Sequence, residues 1–429
     1  MDPASYKKAR RHFLKSTRDR DNSAAHSSDW SPFRVAEKRF KSKFPPPDLS
    51  NVLDLALLDP QRIHEINAGG WAGRPDAFPT RRINLFDSDA KGYIFPHIPG
   101  LVVLPSFLSH QKQKDLVEWS LSEHSKQPNE TNLDIHYILP PEGVWNAYVA
   151  AKSDPSLDLH IPPKSSVVLD AFEQYQEQES GPRQLINNTP ADSDNFDSLH
   201  NVPKLPAAPS PTAHPSSPAT LLPKLRWANI GWFYHWGTKQ YDFTKGKIAV
   251  HSTIRDICKH AVRAADWNQV FGNDSGDAGD LDWGENGPEW MDWNETYEPD
   301  AGIVNFYQTK DTLMAHVDRS EVCATSPLVS ISLGNAAIFL IGGPTRDTEP
   351  SPILLRSGDV VIMSGPACRR SYHGVPRILE NTLPSHMLST DEDQREWELY
   401  EQYMKTTRIN INVRQVFPKG FAPQQHVDI

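Results

Sequence analysis

From position 301 onward, apolar and polar residues alternate in short runs, the period-two pattern of half-buried β-strands. Runs at 301–307, 313–317, 327–333, 336–341, 352–356, 359–363, 370–375 and 408–416 are separated by Gly-Asn, Gly-Gly-Pro and Ser-Gly-Asp turns. Short strands at this spacing predict a fold that is mainly β with flanking helices, built on a double-stranded β-helix (jelly-roll) core. Helical spacing appears at 253–265, where Ile254, Ile257, Cys258, Ala261 and Val262 recur every three or four positions, and again at 390–405. Upstream, the apolar run 101–104 suits a strand, and Ser109 is placed to cap a helix that turns Leu116, Val117 and Leu121 inward.

Between and before these segments the pattern lapses. Residues 1–90 are expected to be a basic, largely flexible N-terminal region, and 91–149 the first part of the folded domain. Residues 190–223 hold eight prolines and almost no large apolar side chains, so 150–224 is expected to be a largely disordered insertion. Such a segment cannot bury enough surface to offset the entropy of ordering. The domain resumes over 225–417, with a flexible tail expected at 418–429. Five aromatic residues crowd between Trp227 and Trp236, either a core strand with an aromatic edge or a platform for a flat base. Residues 273–300 carry ten acids and no Lys or Arg, which predicts a solvated acidic loop.

A formal net charge of −10 over 429 residues argues against a nucleic-acid binder with a uniformly basic surface. Basic residues concentrate instead in the first 45 positions, where 12 Lys and Arg stand against 5 Asp and Glu. That arm reads as a solvated extension, a nuclear signal or a phosphate-binding segment. Three scattered cysteines support neither a disulfide framework nor a zinc ribbon, and fit a reducing compartment. No apolar run approaches the roughly 18 residues of a bilayer span, so no membrane association is expected. Nucleus and cytoplasm are the expected compartments, with a mitochondrial presequence left open by Arg10 and Arg11. A monomer is the expected oligomeric state.

The candidate chemistry lies on the predicted strands. His316 and Asp318, two apart on one strand, project to the same face. The triplet alone means little, since a second copy, His426-Val427-Asp428, stands in the last four residues. His373, at the end of another strand, completes a set of two imidazoles and one carboxylate. That is the facial triad of non-haem Fe(II) oxygenases, which leaves coordination positions open. Over 408–414 the alternation is complete: Arg408, Asn410, Asn412 and Arg414 share one face, and Ile409, Ile411 and Val413 the other. With the apolar face packed outward between sheets, two guanidiniums point into the barrel, where a buried cation is costly without an anion. A dicarboxylate meets that need, because the guanidinium fork binds carboxylates bidentately. Asn305 and Tyr307 add hydrogen-bonding groups from a neighbouring strand. Together these residues describe an Fe(II) site that chelates 2-oxoglutarate; an edge strand with a solvated polar face is the bland alternative.

The order N-x-Y, eight residues, H-x-D, a distant His and R-x-N-x-x-x-R resembles the AlkB family of nucleic-acid dealkylating dioxygenases. The wording H-V-D-R-S-E, S-G-D-V-V-I-M-S-G, K-T-T-R-I-N-I-N-V-R-Q-V and L-R-W-A-N-I-G-W is most similar to the eukaryotic homologue-one branch. The likeness covers about 91–135 and 225–417, and none of the arm, the insertion or the acidic loop. It implies that His316, Asp318 and His373 bind iron. Arg408 with Tyr307 would hold the distal carboxylate of 2-oxoglutarate, and Arg414, Asn410 and Asn305 would support its metal-proximal end. Trp232 and Tyr234 fall on the family's substrate-binding lid. Bacterial members carry an acid two residues after the metal Asp to read the base's amino group; Ser320 stands there, as in the homologue-one branch, and base preference stays open.

The implied activity is oxidative demethylation of N-methylated bases in nucleic acid, consuming O2 and 2-oxoglutarate and releasing succinate, CO2 and formaldehyde. tRNA or other RNA is favoured over DNA, because a target base must leave its stack. A zinc hydrolase on the same His/Asp/His set is one alternative, although it leaves Arg408 and Arg414 unexplained. A non-catalytic nucleic-acid-binding protein is the other.

Overall fold

The computed structural model describes residues 7–8, 10–11, 30–86, 88–164, 189–272, 281–284, 287–390 and 395–421. Its strands are β1 (Arg81–Leu85), β2 (Ser88–Ile94), β3 (Leu101–Leu104), β4 (Trp227–Gly231), β5 (Tyr234–His235), β6 (Gln240–Tyr241) and β7 (Ala301–Gln308). They continue as β8 (Leu313–His316), β9 (Leu328–Gly334), β10 (Ala337–Ile341), β11 (Ser351–Leu355), β12 (Val360–Met363), β13 (His373–Ile378) and β14 (Thr407–Arg414). One antiparallel sheet has the order β1-β2-β3-β12-β9-β14-β7-β4 and a second the order β11-β10-β13-β8, while β5 and β6 pair only with each other. Two facing sheets flanked by helices are the expected jelly-roll architecture.

The period-two pattern divides the large sheet between two layers. Val102, Val304, Phe306, Val360, Ile362, Ile409, Ile411 and Val413 join the core formed with the helix Ser252–Ala264. Leu101, Val103, Leu328, Val361 and Met363 instead meet Phe339, Ile341, Ile353 and Leu355 of the small sheet. The isoleucine face of β14 therefore packs beneath the helical layer and not between the sheets. Its polar face is left toward the space the sheets enclose. Ser109 caps the helix His110–Glu118 as its position suggested, accepting a hydrogen bond from the Lys112 N–H at 3.3 Å.

The N-terminal region departs from expectation. Residues 1–29 lie almost wholly outside the described residues, but 30–86 and 88–90 form ordered secondary structure and turns. The helix Pro32–Lys41 is capped by the Ser31 side chain. It turns Phe33 and Phe40 onto the outer face of the small sheet, where they join Leu49, Val52, Ile338, Leu340 and Leu354. That face would otherwise expose a row of apolar side chains, which explains why a basic segment folds here. Buried ion pairs fix the following stretch: Arg356 with Asp54 at 2.7 Å and Arg62 with Asp359 at 2.8 Å. Beyond them β1 and β2 extend the large sheet.

Two other segments are also more ordered than their composition suggested. Residues 165–188 of the insertion and 273–280 of the acidic loop lie outside the described residues. Of the remainder, Ala191 and Phe196 are buried, as are Trp293 and Tyr297. Glu298 pairs with both Arg255 and Lys259 of the helix Ser252–Ala264, so the acidic loop is partly neutralised by basic residues distant in sequence. Of the expected tail, 422–429 lie outside the described residues. Among the described residues no helix is long and apolar enough to cross a membrane.

Candidate metal and cosubstrate site

β8 and β13 are neighbours at one edge of the small sheet, and their register sets His316 directly opposite His373. Cross-strand partners on one face lie close enough to touch, and the two rings are 4.4 Å apart between centroids. Asp318 follows just past the end of β8, its Oδ1 3.7 Å from His316 Nε2. One ligand atom from each of the three residues falls within 4.8 Å of the others.

Both imidazoles are oriented through Nδ1. In His316 it contacts the Met314 carbonyl at 3.0 Å, and in His373 the Ser371 carbonyl at 3.1 Å. Carbonyl acceptors hold the proton on Nδ1 and leave Nε2 as the lone-pair donor, as backbone carbonyls commonly do for metal-binding histidines. Burial, with His316 beside it, pushes the His373 imidazole down to about 4, which keeps it neutral and able to ligate. Burial alone would raise the Asp318 carboxyl, but Arg414, then His373 and His316, hold it well below the usual carboxylate range.

The triad opens on a cavity of about 500 Å³ between the sheets, whose wall includes Asn305, Tyr307, Arg408, Asn410 and Arg414. All five are therefore brought together, yet the two arginines differ in charge environment. Arg408 is 2 % exposed and has only neutral partners: the carbonyls of Asn335 (3.0 Å) and Leu355 (3.5 Å) and the Ser332 hydroxyl (2.7 Å). Among the described residues its Nε has no hydrogen-bond partner, and burial pushes the guanidinium down to about 10. Arg414 contacts two carboxylates, Glu321 at 2.8 Å and Asp318 at 3.1 Å. Those partners overcome burial and raise its pKa well above the ordinary arginine value. Asn410 donates to Ser330 Oγ and the Ile331 carbonyl, and Tyr307 is buried beside Arg408.

The opposite wall comes from the β5–β6 hairpin. Tyr234 and Trp236 line the cavity and Ser320 lies against them, its hydroxyl donating to the Lys239 carbonyl at 2.9 Å. Trp232 does not line it: its ring packs against Phe243 and Phe417, on the far side of the hairpin. Gly231 marks where the chain turns from β4 into this hairpin. It has φ +70°, and a Cβ there would sit 1.9 Å from the Asp300 carbonyl.

Four participants escaped the sequence reading. Glu321, fully buried, holds Arg414; Arg369, 1 % exposed, lies 3.7 Å from Glu321 and 4.0 Å from Asp318. Leu199 and Ala191 of the Pro-rich insertion reach the cavity wall. Ala191 is held there by its N–H on the Arg319 carbonyl (2.8 Å) and by Arg370, which donates to its carbonyl at 3.2 Å. Glu321 was legible as the last residue of H-V-D-R-S-E, but composition gave no sign of Ala191.

A His/Asp/His triad in which only His373 is fully buried, with Nδ1 of both imidazoles engaged by carbonyls, shares its cavity with a buried guanidinium whose hydrogen-bond partners among the described residues are neutral; that environment suits an iron site with a dicarboxylate cosubstrate. The family model described as the 2OG-Fe(II) oxygenase superfamily matches residues 193–414. The chain belongs to the 2OG-Fe(II) oxygenase superfamily. Membership in this oxygenase superfamily implies Fe(II) and 2-oxoglutarate, and the residues fit both: an imidazole pair oriented through Nδ1 with an ionised carboxylate for the metal, and Arg408 for an anion.

Among curated proteins, the chain is 29% identical to the DNA N(6)-methyladenine demethylase ALKBH1A of Arabidopsis thaliana, over 91% of this chain and 97% of that protein. It is 27% identical to the tRNA demethylase abh1 of Schizosaccharomyces pombe, over 90% and 96%. With the nucleic acid dioxygenase ALKBH1 of Homo sapiens it shares 34% identity over 46% of this chain and 48% of that protein.

Proposed function

We propose that this oxygenase is an oxidative demethylase of N-methylated bases in nucleic acid, acting on RNA ahead of DNA. The observation that carries the reading is Arg408: a buried guanidinium that among the described residues bonds only neutral groups, opening on the same cavity as His316, Asp318 and His373. Relatives named as demethylases of DNA and of tRNA, aligned over nine-tenths of the chain, support the nucleic-acid substrate.

In this reading His316, Asp318 and His373 hold Fe(II), and Arg408, with Tyr307 beside it, holds the distal carboxylate of 2-oxoglutarate by a charge-assisted fork. Asn305 and Asn410 supply hydrogen bonds along the cosubstrate. When bound, the metal and cosubstrate would supply the oxidising power: 2-oxoglutarate and O2 are consumed to succinate and CO2, and the N-methyl group leaves the base as formaldehyde. The protein supplies position and dryness. Tyr234 and Trp236 offer aromatic faces to a base drawn out of its stack. Burial, then the charges of Glu321 and Asp318, keep the Tyr234 hydroxyl protonated, raised to about 12, so it remains a hydrogen-bond donor.

Incubating the protein with Fe(II) and 2-oxoglutarate, separately with total RNA and with DNA, and quantifying each modified nucleoside by mass spectrometry tests this. Loss of an N-methylated nucleoside that depends on 2-oxoglutarate is expected, and larger in RNA. Consumption of 2-oxoglutarate with every methylated nucleoside unchanged would overturn the proposal.

A further inference from the structure

The β5–β6 hairpin belongs to neither sheet. A two-stranded ribbon is at best marginally stable alone, yet this one carries Tyr234 and Trp236, the aromatic part of the cavity wall. Its position depends on what ties it to the core. Two ties come from the residues that follow the metal-binding segment. Ser320 donates to the Lys239 carbonyl, and Glu321 Oε1 accepts from the Tyr241 hydroxyl at 3.0 Å. Tyr241 is the cross-strand partner of Tyr234 and meets its ring edge-on at 5.5 Å, and Tyr234 in turn meets Trp236 at 5.0 Å.

The same Glu321 oxygen accepts from Arg414 Nη1 at 2.8 Å, and that nitrogen also lies 3.1 Å from Asp318 Oδ2. A continuous path therefore runs from the metal-binding carboxylate through Arg414 and Glu321 to Tyr241, and on to the cavity aromatics. Its middle members, Arg414, Glu321 and Tyr241, are buried, where a polar contact is strongest and an unpaired group most costly. Charge balance shows why a second carboxylate is present. Asp318 and Glu321 offset Arg369 and Arg414; once Asp318 faces a dication, its hold on Arg414 weakens, and Glu321 is the carboxylate left to keep that guanidinium in place.

We propose that Glu321 is a positioning residue that ties the β5–β6 hairpin to the metal-binding carboxylate through Arg414, so that docking of the substrate base stays in register with the oxidising centre. The proposal rests on the demethylase reading for its consequence in turnover, and on the structure alone for the tie itself.

Three variants separate the links. Tyr241→Phe removes one hydroxyl and leaves the Glu321–Arg414 pair intact; Glu321→Gln keeps an acceptor for Tyr241 but loses the charge; Glu321→Ala removes both. Amide hydrogen exchange of residues 232–241 in the metal-free protein is expected to speed several-fold in Tyr241→Phe and Glu321→Ala, and little in Glu321→Gln. In turnover, Tyr241→Phe is expected to raise KM for a methylated single-stranded oligonucleotide several-fold. It should also raise the ratio of succinate to formaldehyde formed, while 2-oxoglutarate affinity stays within about twofold. Glu321→Gln should instead loosen 2-oxoglutarate and metal. The Tyr241→Phe change should add nothing to hairpin exchange on top of Glu321→Ala, the non-additivity of residues that share one contact. Unchanged hairpin exchange in Tyr241→Phe, or full additivity in the double variant, overturns the tie. Faster exchange with the succinate-to-formaldehyde ratio unchanged overturns the role in register. A wild-type protein that removes no methyl group sinks the demethylase reading, and the exchange data still decide the tie. Should Glu321→Ala fail to fold, Tyr241→Phe decides alone.

Discussion

Replacing Arg408 by Ala is expected to weaken 2-oxoglutarate binding about a hundredfold or more. Removing one partner of a buried ion pair costs about 3–5 kcal/mol, and each 1.4 kcal/mol or so is tenfold in affinity. The lower end applies because Ser332 and Tyr307 remain beside the vacated position. The cofactor-free protein should respond differently. Among the described residues Arg408 has no carboxylate hydrogen-bond partner to strand, and burial already disfavours its charge. Calorimetric titration with 2-oxoglutarate in the presence of Mn(II) measures the affinity, and thermal unfolding with and without cosubstrate gives a second measure. At a hundred times the wild-type Kd, stabilisation should fall from about 2.7 kcal/mol to about 0.4 kcal/mol in the variant. Arg408→Lys should not restore binding, since an ammonium has no planar fork. An affinity unchanged in Arg408→Ala would refute the assignment of this cavity to a dicarboxylate.

Three further outcomes are expected. His373→Ala should lower Fe(II) affinity by more than the roughly 10–100-fold that losing an outer hydrogen bond costs, and abolish 2-oxoglutarate-dependent O2 consumption; a wild-type protein that retains zinc and consumes no O2 would favour the hydrolase alternative. Phe33→Ala should destabilise the fold by about 3–5 kcal/mol in denaturant titration, because Phe33 is wholly buried against the small sheet; a change below about 1 kcal/mol would mean that the N-terminal helix is dispensable to the fold. Asp300 is raised to about 7 by burial, against the Val416 N–H that it accepts at 2.8 Å. The folded state therefore binds more protons than the unfolded one between the ordinary aspartate pKa and about 7, so this residue makes stability fall as pH rises through that window, by at most about 1.4 kcal/mol per pH unit. Asp300→Asn should flatten the slope, and an unchanged pH profile would rule Asp300 out as its source.

What the sequence revealed about this fold followed from strict periodicity. The alternation in 408–414 separates the polar and apolar faces of β14, because period two admits a single assignment of faces once one of them is buried. It could not show what covers the apolar face, which proved to be a helical layer. The pairing of His316 with His373 depends on register between strands more than fifty residues apart, and nothing local encodes it. The N-terminal segment misled because charged residues dominate its composition while a few apolar positions, Phe33, Phe40, Leu49 and Val52, make the contacts. Ala191 was invisible for another reason: it is held chiefly by its own backbone N–H and carbonyl, which every residue except proline carries alike. Among the aromatics from Trp227 to Trp236, density left a core strand and a platform equally open, and only geometry separates Tyr234 and Trp236 on the cavity from Trp232 behind it.

Arg408 and Arg414 show how far a motif can assign roles. They lie on one strand, on one face, and both reach the cavity, so the pattern R-x-N-x-x-x-R treats them as equivalent. The difference is made by residues outside the pattern. The hydrogen-bond partners of Arg408 among the described residues are neutral, leaving its fork for a ligand; Asp318 and Glu321 already engage Arg414, so a further anion would have to compete with two carboxylates for one guanidinium. The physical expectation is a division of labour, in which Arg408 supplies cosubstrate affinity and Arg414 fixes the position of the Asp318 carboxylate. Any contact of Arg414 with the metal-proximal end of 2-oxoglutarate is then secondary to its hold on Asp318 and Glu321.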